Sequence, residues 1–419
     1  MNQLTVGEVA DALGLSVDTI RRWDKKGLIK STRDSNNYRL FSLDEVRRVH
    51  EKYMGTSSGR GFYVLDNEPT DFTSIELFAG AGGMALGFEN AGFQSLMLNE
   101  VDKYAAETLR INRSDWYVIE DDVRQLEFAE YEGQVDVVAG GFPCQAFSYA
   151  GHSRGFDDTR GTLFFDFARC VKQVRPKIAL GENVRGLVRH DKGRTLKTMV
   201  KVLEDLGYRV EYRVLKAQFH DVPQKRERLI LIGVREDLDM SIYFPKENNY
   251  ILSLREAFTD IPQSDGASYP KRKEEILSHV PAGGYWKDLP EDLAKEYMKK
   301  SYYLGGGKTG MARRLAWEEP SLTLTCSPAQ KQTERCHPEE TRPLTVREYA
   351  RLQTFPDDWG FSGSVSQQYK QIGNAVPVNL AYHVGRCLIG MLEGTVPENG
   401  KLVVQEDGAN TTPQQLSLF

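Results

Sequence analysis

Short apolar segments that alternate with segments of helix length constrain the fold of this chain more than any other feature. They begin near Phe72 and recur over much of the remaining sequence. The predicted strands are Ser74–Phe78, Ser95–Asn99, Val135–Ala139, Ile178–Leu180, Val210–Val214 and Leu229–Val234. Alternation of this kind is typical of an α/β fold with a mostly parallel, doubly wound, Rossmann-like sheet. In such sheets, ligands bind at the carboxyl ends of the strands.

The stretch Gly140–Ser148 (GGFPCQAFS) follows one of these strands and carries a candidate nucleophile, Cys144. A buried structural cysteine is the alternative, because free cysteine is among the most buried residue types. A glycine- and proline-containing loop at a strand end is a poor place for core packing and a good one for attack on a ligand. The five cysteines form no CxxC pair, so we predict no zinc site and reduced thiols.

A second glycine-rich segment, Gly80–Gly83, lies between the first predicted strand and the helix that follows it. Glu100 lies twenty residues beyond Gly80, at the end of the second strand. Glycines let the backbone approach a ligand closely, and a carboxylate at this position can bind two ribose hydroxyls. The pattern alone fits NAD, FAD or S-adenosylmethionine equally well, and a plain glycine-rich turn is the alternative.

The first 53 residues have a different pattern, that of a small DNA-binding unit. Thr5 and Ser16 are predicted to cap two short helices, and Arg21 and Arg22 point outward from the second. This segment resembles the winged helix-turn-helix of MerR-type regulators, with Arg39 in the wing. The resemblance implies that Arg21, Arg22 and Arg39 contact DNA. A protein-interaction module is the alternative.

From Thr73 to Met391, several sequence blocks in order resemble the DNA (cytosine-5) methyltransferases. The blocks are FAGAGG from Phe78, PCQ from Pro143, ENV from Glu182, PQKRER from Pro223, RPLTVREYARLQTFPDDW from Arg342 and QIGNAVP from Gln371. Ordered blocks are far more specific than any single motif. The resemblance implies S-adenosyl-L-methionine as cofactor, bound by Phe78, Ala79, Gly80, Gly82, Glu100, Val101, Asp122, Val123, Pro143, Asn374 and Ala375.

Methylation of cytosine at C5 requires activation of the ring, since C5 is a poor nucleophile. A thiolate that adds at C6 creates a carbanion at C5, which can attack the sulfonium methyl group. The resemblance assigns Cys144 to this addition, Glu182 to protonation of N3 and Arg228 to O2, with Arg226 supporting the site. A helix cap is the alternative role for Glu182, and a solvated strand start for the two arginines.

A cytosine inside a duplex must be flipped out before this chemistry is possible. The segment 146–160 is predicted to close over the extruded base. The strand–helix alternation breaks down over 237–342, and the resemblance implies that this region is the target recognition domain. The predicted DNA contacts outside the first unit are Ser148, Arg154, Arg160, Thr323 and Thr325.

The predicted organisation has five parts. They are the winged helix-turn-helix (1–53), a linker (54–71), the catalytic domain (72–236 and 343–393), the target recognition domain (237–342) and a flexible tail (394–419). The two resemblances together imply a DNA cytosine-5 methyltransferase of a restriction-modification system that also regulates its own transcription. The alternatives are a tRNA cytosine-5 methyltransferase and a DNA-binding transcription regulator.

Two further expectations concern location and partners. The amino terminus lacks a signal-peptide pattern and we identify no apolar run of membrane-span length. The protein is therefore expected in the bacterial cytoplasm, associated with the nucleoid and without a membrane partner. Double-stranded DNA is the expected partner. The last five residues, Gln415–Phe419 (QLSLF), are similar to the peptides that bind the replication sliding clamp, which is a second expected partner.

Overall fold

The computed structural model describes most of the chain. The described residues are 3–13, 15, 17–34, 37–54, 56–59, 61–143, 163–305, 308–398 and 400–402. Five predicted site residues and segments lie outside them, namely Cys144, Ser148, Arg154, Arg160 and Gln415–Phe419. The predicted helix cap at Ser16 also lies outside.

The N-terminal unit has the helix-turn-helix elements expected from the sequence. Its helices are Val6–Ala12, Val17–Lys25 and Leu43–Met54, and its antiparallel strands are Gln3–Thr5, Thr32–Arg33 and Arg39–Ser42. Thr5 caps the first helix in a reciprocal arrangement with Glu8, a contact that stabilises a helix by about 1 kcal/mol. The strand Arg39–Ser42 pairs with both others. The strand Arg39–Ser42 therefore lies between the other two, one of which precedes the first helix.

Seven strands form the central sheet, which we number in chain order. They are β1 Thr73–Leu77, β2 Gln94–Asn99, β3 Val118–Ile119, β4 Val137–Gly140, β5 Ile178–Val184, β6 Tyr208–Lys216 and β7 Glu227–Arg235. Their spatial order is 6-7-5-4-1-2-3. Strands β1 to β5 run parallel, whereas β7 is antiparallel to both β5 and β6. The predicted doubly wound, mostly parallel sheet is confirmed.

Two strands differ from the prediction in ways that affect the site. β3 has only two residues, too few to give a periodic signal, and the sequence did not predict it. β5 continues to Val184, so Glu182 lies inside the strand and not beyond its end. The strand extends because β7 pairs with it over its full length, which supplies hydrogen-bond partners for the additional residues.

Helices cover both faces of the sheet, as a doubly wound fold requires. We number those used below: α1 Gly83–Ala91, α2 Lys103–Asn112, α3 Leu163–Val174, α4 Arg194–Asp205, α5 Val346–Leu352, α6 Val365–Asn374 and α7 Val378–Leu392. On one face, Phe88 of α1 and Leu388 of α7 pack in a cluster with Val137 of β4. On the other face, Phe167 of α3 packs in a cluster with Val138. Val137 and Val138, which are successive residues of β4, thus pack in cores on opposite faces of the sheet.

The segment Val365–Leu392 meets the length and composition of a membrane span, contrary to our expectation from the sequence. It contains both α6 and α7, and 78% of its most apolar window is buried inside the protein. Gly87 allows α1 to approach α7 closely, because a Cβ there would lie 2.5 Å from that of Ala381. The apolar character of this segment is therefore accounted for by packing on the sheet.

The region 237–342 has a core of its own. Its α-helices are Leu254–Ala257, Lys271–Leu277 and Glu291–Met298. The cluster includes Tyr269, Leu277, Trp286, Met298 and Cys336. Three short strand pairs involve this region. Gln224–Lys225 of the catalytic part pairs with Ser321–Leu322, whereas Tyr243–Pro245 pairs with Gly400–Leu402 of the predicted tail and Tyr250–Ile251 pairs with Thr56–Ser57 of the predicted linker. The predicted linker thus includes a strand that pairs with the rest of the protein.

The remaining helical segments are single turns or short runs of 3-10 helix. They are Val123–Gln125, Ala129–Tyr131, Arg185–Gly193, Ala217–Phe219, Trp286–Asp288, Lys299–Tyr303 and Lys331–Thr333.

Candidate active site

A cavity of about 1160 Å³ opens at the carboxyl ends of β1, β2, β4 and β5. The strand order reverses between β1 and β4, and this is where doubly wound sheets bind ligands. Ten of the eleven predicted cofactor residues line the cavity: Phe78, Ala79, Gly80, Glu100, Val101, Asp122, Val123, Pro143, Asn374 and Ala375. Two of the predicted catalytic residues, Glu182 and Arg228, line it as well.

The loop after β1 has the backbone that a ligand cradle requires. Gly80 has a φ of +57°, and a Cβ at this position would meet open space, with no neighbouring atom within 4 Å. Gly82 is different, since it does not line the cavity and a Cβ there would lie 2.7 Å from Cδ2 of Leu109. Gly80 therefore leaves room on the ligand side, whereas Gly82 is required for packing against α2.

Glu100 is held at the end of β2 by backbone donors. Its Oε2 accepts a hydrogen bond from the Gly80 amide at 2.7 Å, and its Oε1 accepts one from the Asp102 amide at 2.7 Å. Burial raises the pKa of the carboxyl above its ordinary value, against the effect of these amides. Each oxygen retains a lone pair for a ligand hydroxyl. The carboxylate is thus oriented before a ligand arrives.

Asp122 and Val123 form the side of the cavity next to β3. The Asp122 carboxylate accepts hydrogen bonds from the Arg124 amide at 3.0 Å and from its guanidinium. These bonds lower the pKa of Asp122 to about 2, so it is ionised at neutral pH. Val123 is buried beneath it. Asp122 supplies a charged acceptor at the rim, and Val123 supplies an apolar wall.

The opposite wall comes from the end of α6. Asn374 is exposed to the cavity, and Ala375 beside it is 8% exposed. The thiol of Cys326, from the region 237–342, donates a hydrogen bond to Oδ1 of Asn374 at 3.1 Å. The close approach of these segments requires Gly373, because a Cβ there would lie 2.3 Å from the carbonyl oxygen of Thr325.

Glu182 and Arg228 form a buried ion pair at the floor of the cavity. Nε of Arg228 lies 2.6 Å from Oε1 of Glu182, and the two side chains are 10% and 11% exposed. Burial raises the pKa of Glu182, with Arg228 and Arg226 opposing that shift, and burial lowers the pKa of Arg228. The pair thus places a carboxyl group and a cation side by side.

Arg226 is buried, 1% exposed, and does not line the cavity. Its guanidinium donates hydrogen bonds to the carbonyl oxygens of Leu324 at 3.3 Å, Gly373 at 3.1 Å and Ala375 at 2.9 Å. The first carbonyl belongs to the region 237–342, and the other two belong to the cavity wall of Gly373, Asn374 and Ala375, which we call the cofactor wall after the predicted cofactor residues Asn374 and Ala375. Arg226 therefore connects the cofactor wall to the region 237–342, which is a supporting position.

The segment that leads to Cys144 is described as far as Pro143. The carbonyl oxygen of Phe142 accepts a hydrogen bond from Nδ2 of Asn183 at 2.8 Å. The Phe142 ring packs against the Phe164 ring at a centroid distance of 5.2 Å. A Cβ at Gly141 would lie 3.3 Å from Oε2 of Glu182. The chain therefore enters the predicted nucleophile loop beside the Glu182 carboxylate.

Glu76 is a cavity residue to which the sequence assigned no role. It lies in β1, is 3% exposed, and its Oε2 has no hydrogen-bond partner among the described residues. Burial raises its pKa well above the ordinary value, and Glu100 and Glu182 raise it further. The sequence signal that could have identified Glu76 is its position as an acidic residue inside an otherwise apolar strand.

The described residues predicted to contact DNA lie in two places. Arg21 and Arg22 are exposed on the second helix of the N-terminal unit, whereas Arg39 is half-buried and pairs with Asp24 at 2.5 Å. The hydroxyls of Thr323 and Thr325 donate to the carbonyls of Lys225 at 2.6 Å and Ser327 at 3.1 Å. Since those hydroxyls already have partners, the two threonines stabilise the loop in this structure.

Fold and site together define a Rossmann-like methyltransferase, and two family models match the chain. The model of C-5 cytosine-specific DNA methylases matches residues 72–390, and that of MerR family regulatory proteins matches residues 5–41. The chain belongs to the C-5 cytosine-specific DNA methylase family.

Similar proteins cover nearly its whole length. The chain is 58% identical over 403 residues to the type II methyltransferase M.Eco47II of Escherichia coli, covering 93% of this chain and 96% of that protein. It is 54% identical over 402 residues to the type II methyltransferase M.PspPI of Psychrobacter sp. (strain TA137), covering 93% and 97%. A crystal structure of a Spodoptera frugiperda DNMT2 mutant has the same fold, with a TM-score of 0.54, 16% identity and 76% and 99% coverage.

Proposed function

We propose that this enzyme transfers a methyl group from S-adenosylmethionine to C5 of a cytosine that is flipped out of duplex DNA. The observation that carries this proposal is the Arg228–Glu182 pair at 2.6 Å beside the loop that leads to Cys144. The Arg228–Glu182 pair and the predicted cofactor residues line the same cavity. A methyl donor bound by the cofactor residues would therefore lie next to a cytosine ring bound by the pair.

The donors and acceptors of the cavity suit S-adenosylmethionine. Its acidic side has Glu100 and Asp122, which can accept hydrogen bonds from hydroxyl and amino groups and offset a positive charge. Glu100 would hold the ribose and Asp122 the adenine amino group, with Val123 and Val101 against the adenine faces. Bound there, the cofactor supplies an electrophilic methyl group.

The chemistry on the cytosine falls to three side chains. The thiolate of Cys144 adds to C6, Glu182 donates its proton to N3, and the guanidinium of Arg228 binds O2 as charge develops on the ring. The electron pair that reaches C5 would then form the bond to the methyl carbon as the bond between that carbon and sulfur breaks, and S-adenosylhomocysteine would leave. Loss of the C5 proton to water, return of the N3 proton to Glu182 and expulsion of the thiolate restore the aromatic ring and free the enzyme.

DNA recognition would involve the region 237–342 and the N-terminal unit. The region 237–342 has its own core and contacts the cofactor wall through Thr325 and Cys326, a placement suited to a target recognition domain. The exposed Arg21 and Arg22 and the MerR match favour a second DNA contact, used for autoregulation. A footprint on its own promoter should be lost on deletion of 1–53 while methylation persists.

The biological setting that we propose is the modification half of a restriction-modification system, because the two relatives described above are named type II methyltransferases. Methyl transfer to duplex DNA and to tRNA should be compared directly with labelled cofactor, followed by bisulfite sequencing. We expect 5-methylcytosine in DNA alone, and its loss in Glu182→Gln. Modification of tRNA only would reject the proposal. Clamp binding by Gln415–Phe419 stays a separate prediction, tested by titration with and without these residues.

A further inference from the structure

The segment just before β1 is attached to the catalytic part along most of its length. We call residues 61–66 the strap. The amide of Leu65 donates to Oδ1 of Asn379 at 2.9 Å, and Nδ2 of Asn379 donates to the carbonyl of Tyr63 at 3.1 Å. Nδ2 of Asn90 donates to the carbonyl of Leu65 at 2.9 Å, and the guanidinium of Arg351 lies 4.8 Å from the centre of the Phe62 ring. Hydrogen bonds between the strap backbone and the side chains of Asn90 and Asn379 therefore hold the strap on α1 and α7.

The strap also reaches a buried carboxylate, Asp221, which is 4% exposed. Tyr63 donates its hydroxyl proton to Oδ1, and Tyr250 donates to the same oxygen at 2.7 Å. Nδ2 of Asn248 and Nε2 of His383 lie 3.0 Å and 2.7 Å from Oδ2. A carboxylate has about four acceptor sites, so these partners account for all of them. They come from the strap, from the segment after β7 and from α7.

The backbone of Asp221 adopts a conformation that needs such support. Its φ is +57°, in the left-handed region that side chains rarely occupy, and its carbonyl accepts a hydrogen bond from Nδ2 of Asn379 at 2.9 Å. Residues in this region persist where the surroundings fix them. The hydrogen bonds to the side chain and to the carbonyl provide that constraint.

Asp221 is separated from Arg226 by only four residues. Because these residues are held tightly, the position of Arg226 depends on that of Asp221. Val222, Pro223 and Gln224 are buried, and Gln224 donates to the carbonyl of Leu352 at 2.8 Å. The amide of Arg226 donates to the carbonyl of Gln224 at 2.8 Å, and the carbonyl of Arg226 accepts from the Ala217 amide at 2.8 Å. The path is short and tightly packed, so a displacement at Asp221 would move Arg226.

We infer that Asp221, together with Tyr63 of the strap, is a positioning residue for Arg226 and through it for the cofactor wall and the loop at Leu324. The inference rests on the proposed function, in which Arg226 supports the catalytic pair and the cofactor wall. It means that the segment joining the DNA-binding unit to the catalytic domain is itself a component of the active-site support. A sequence change in the strap would therefore affect methyl transfer although the strap lies outside the cavity.

The test uses the full-length protein and three variants: Tyr63→Phe, Asp221→Asn and, as the matched control, Tyr382→Phe. The hydroxyl of Tyr382 contacts the strap at the carbonyl of Asp66, at 3.5 Å, with no contact to Asp221. Hydrogen–deuterium exchange of the amides in 217–228, without substrate, should become at least fivefold faster in the first two variants and stay unchanged in the control. Unchanged exchange in Tyr63→Phe would overturn the inference, whatever the enzyme methylates.

Kinetics separate a positioning role from general damage. Turnover should be expressed per active site, counted by covalent capture on DNA that contains 5-fluorocytosine. We expect kcat per captured site to fall three- to tenfold in Tyr63→Phe, with KM for the cofactor within twofold of wild type, and no further loss when Tyr63→Phe is added to Asp221→Asn. A lower captured fraction with normal kcat per site would reduce both residues to a structural role. Failure of the wild-type protein to methylate would reject the proposed function instead, because the exchange result does not depend on it.

Discussion

Nε of Arg228 and Oε1 of Glu182 lie 2.6 Å apart, although the residues belong to strands that are antiparallel and far apart in the chain. In the register of β5 and β7, Arg228 faces Val184 and Ile230 faces Glu182. The two charged residues are thus diagonal neighbours on one face of the sheet, within reach of long side chains. The pairing brings an acid and a cation to the point where the chemistry requires both.

Glu182→Gln removes the proton that N3 would receive while it preserves the size of the side chain. A positioned general acid contributes about 10²- to 10⁴-fold to a rate, so kcat should fall by about that factor. Cofactor binding should stay within twofold of wild type, because no cofactor contact is changed. The control is the exposed Glu130→Gln, which should have normal kcat. A Glu182→Gln enzyme with near-normal turnover would remove Glu182 from the mechanism.

The same pair predicts the pH dependence of turnover. In the proposed mechanism Glu182 acts in its protonated form, so kcat should decline as pH rises through its pKa. Burial raises that pKa, and the positive charge of Arg228 lowers it. Arg228→Ala removes the lowering charge, so the decline of its residual single-turnover rate should move to higher pH. A decline at the same or lower pH would contradict this coupling.

The raised pKa of Glu76 predicts that the free energy of unfolding depends on pH. Its folded-state pKa lies well above the ordinary value, so the folded protein keeps a proton that the unfolded chain loses above about pH 4.3. Stability therefore falls as pH rises from that value toward the folded pKa, by up to about 1.4 kcal/mol per pH unit. Glu76→Gln removes this cost, so its Tm relative to wild type should increase between pH 5 and 7. A constant or shrinking difference would mean that Glu76 is ionised in the folded protein.

Val101 predicts how cofactor affinity can be increased. It lines the cavity, is 67% exposed and follows Glu100, the residue proposed to hold the ribose. Val101→Tyr would place a ring against the adenine, and aromatic pairs contribute about 0.5–1.5 kcal/mol beyond burial. We expect the Kd of S-adenosylhomocysteine to fall about two- to tenfold in calorimetry. Equal or weaker binding would place the adenine elsewhere.

The sheet and part of the cavity could be predicted from local patterns, whereas most of the residues that line the cavity were assigned by the resemblance of the ordered blocks. The apolar strands, the turn at Gly80 and the carboxylate of Glu100 each have a signal within a few residues. The contacts of Thr323 and Thr325 within the protein could not be predicted in this way, since their hydroxyls bond to carbonyls that only the folded loop brings close.

Asp221 shows the same limit at longer range. Its hydrogen-bond partners Tyr63, Tyr250 and His383 come from three segments that are distant in the chain, and each looks like an ordinary polar residue in the sequence. The length of β5 was likewise set by its partner strand and not by its own residues. Tertiary pairing, which a single sequence pattern does not encode, decided both features.

Covalent capture tests the central claim most directly, because it detects the bond between Cys144 and cytosine C6. The substrate is fragmented duplex DNA in which 5-fluorocytosine replaces cytosine, so that no target sequence need be known. Fluorine takes the place of the C5 proton, whose loss would otherwise release the enzyme. With S-adenosylmethionine, the full-length protein should form a protein–DNA adduct that survives denaturation, and Cys144→Ala should form none. An adduct of equal yield in Cys144→Ala, or 5-methylcytosine formed in ordinary DNA by that variant, would contradict the account.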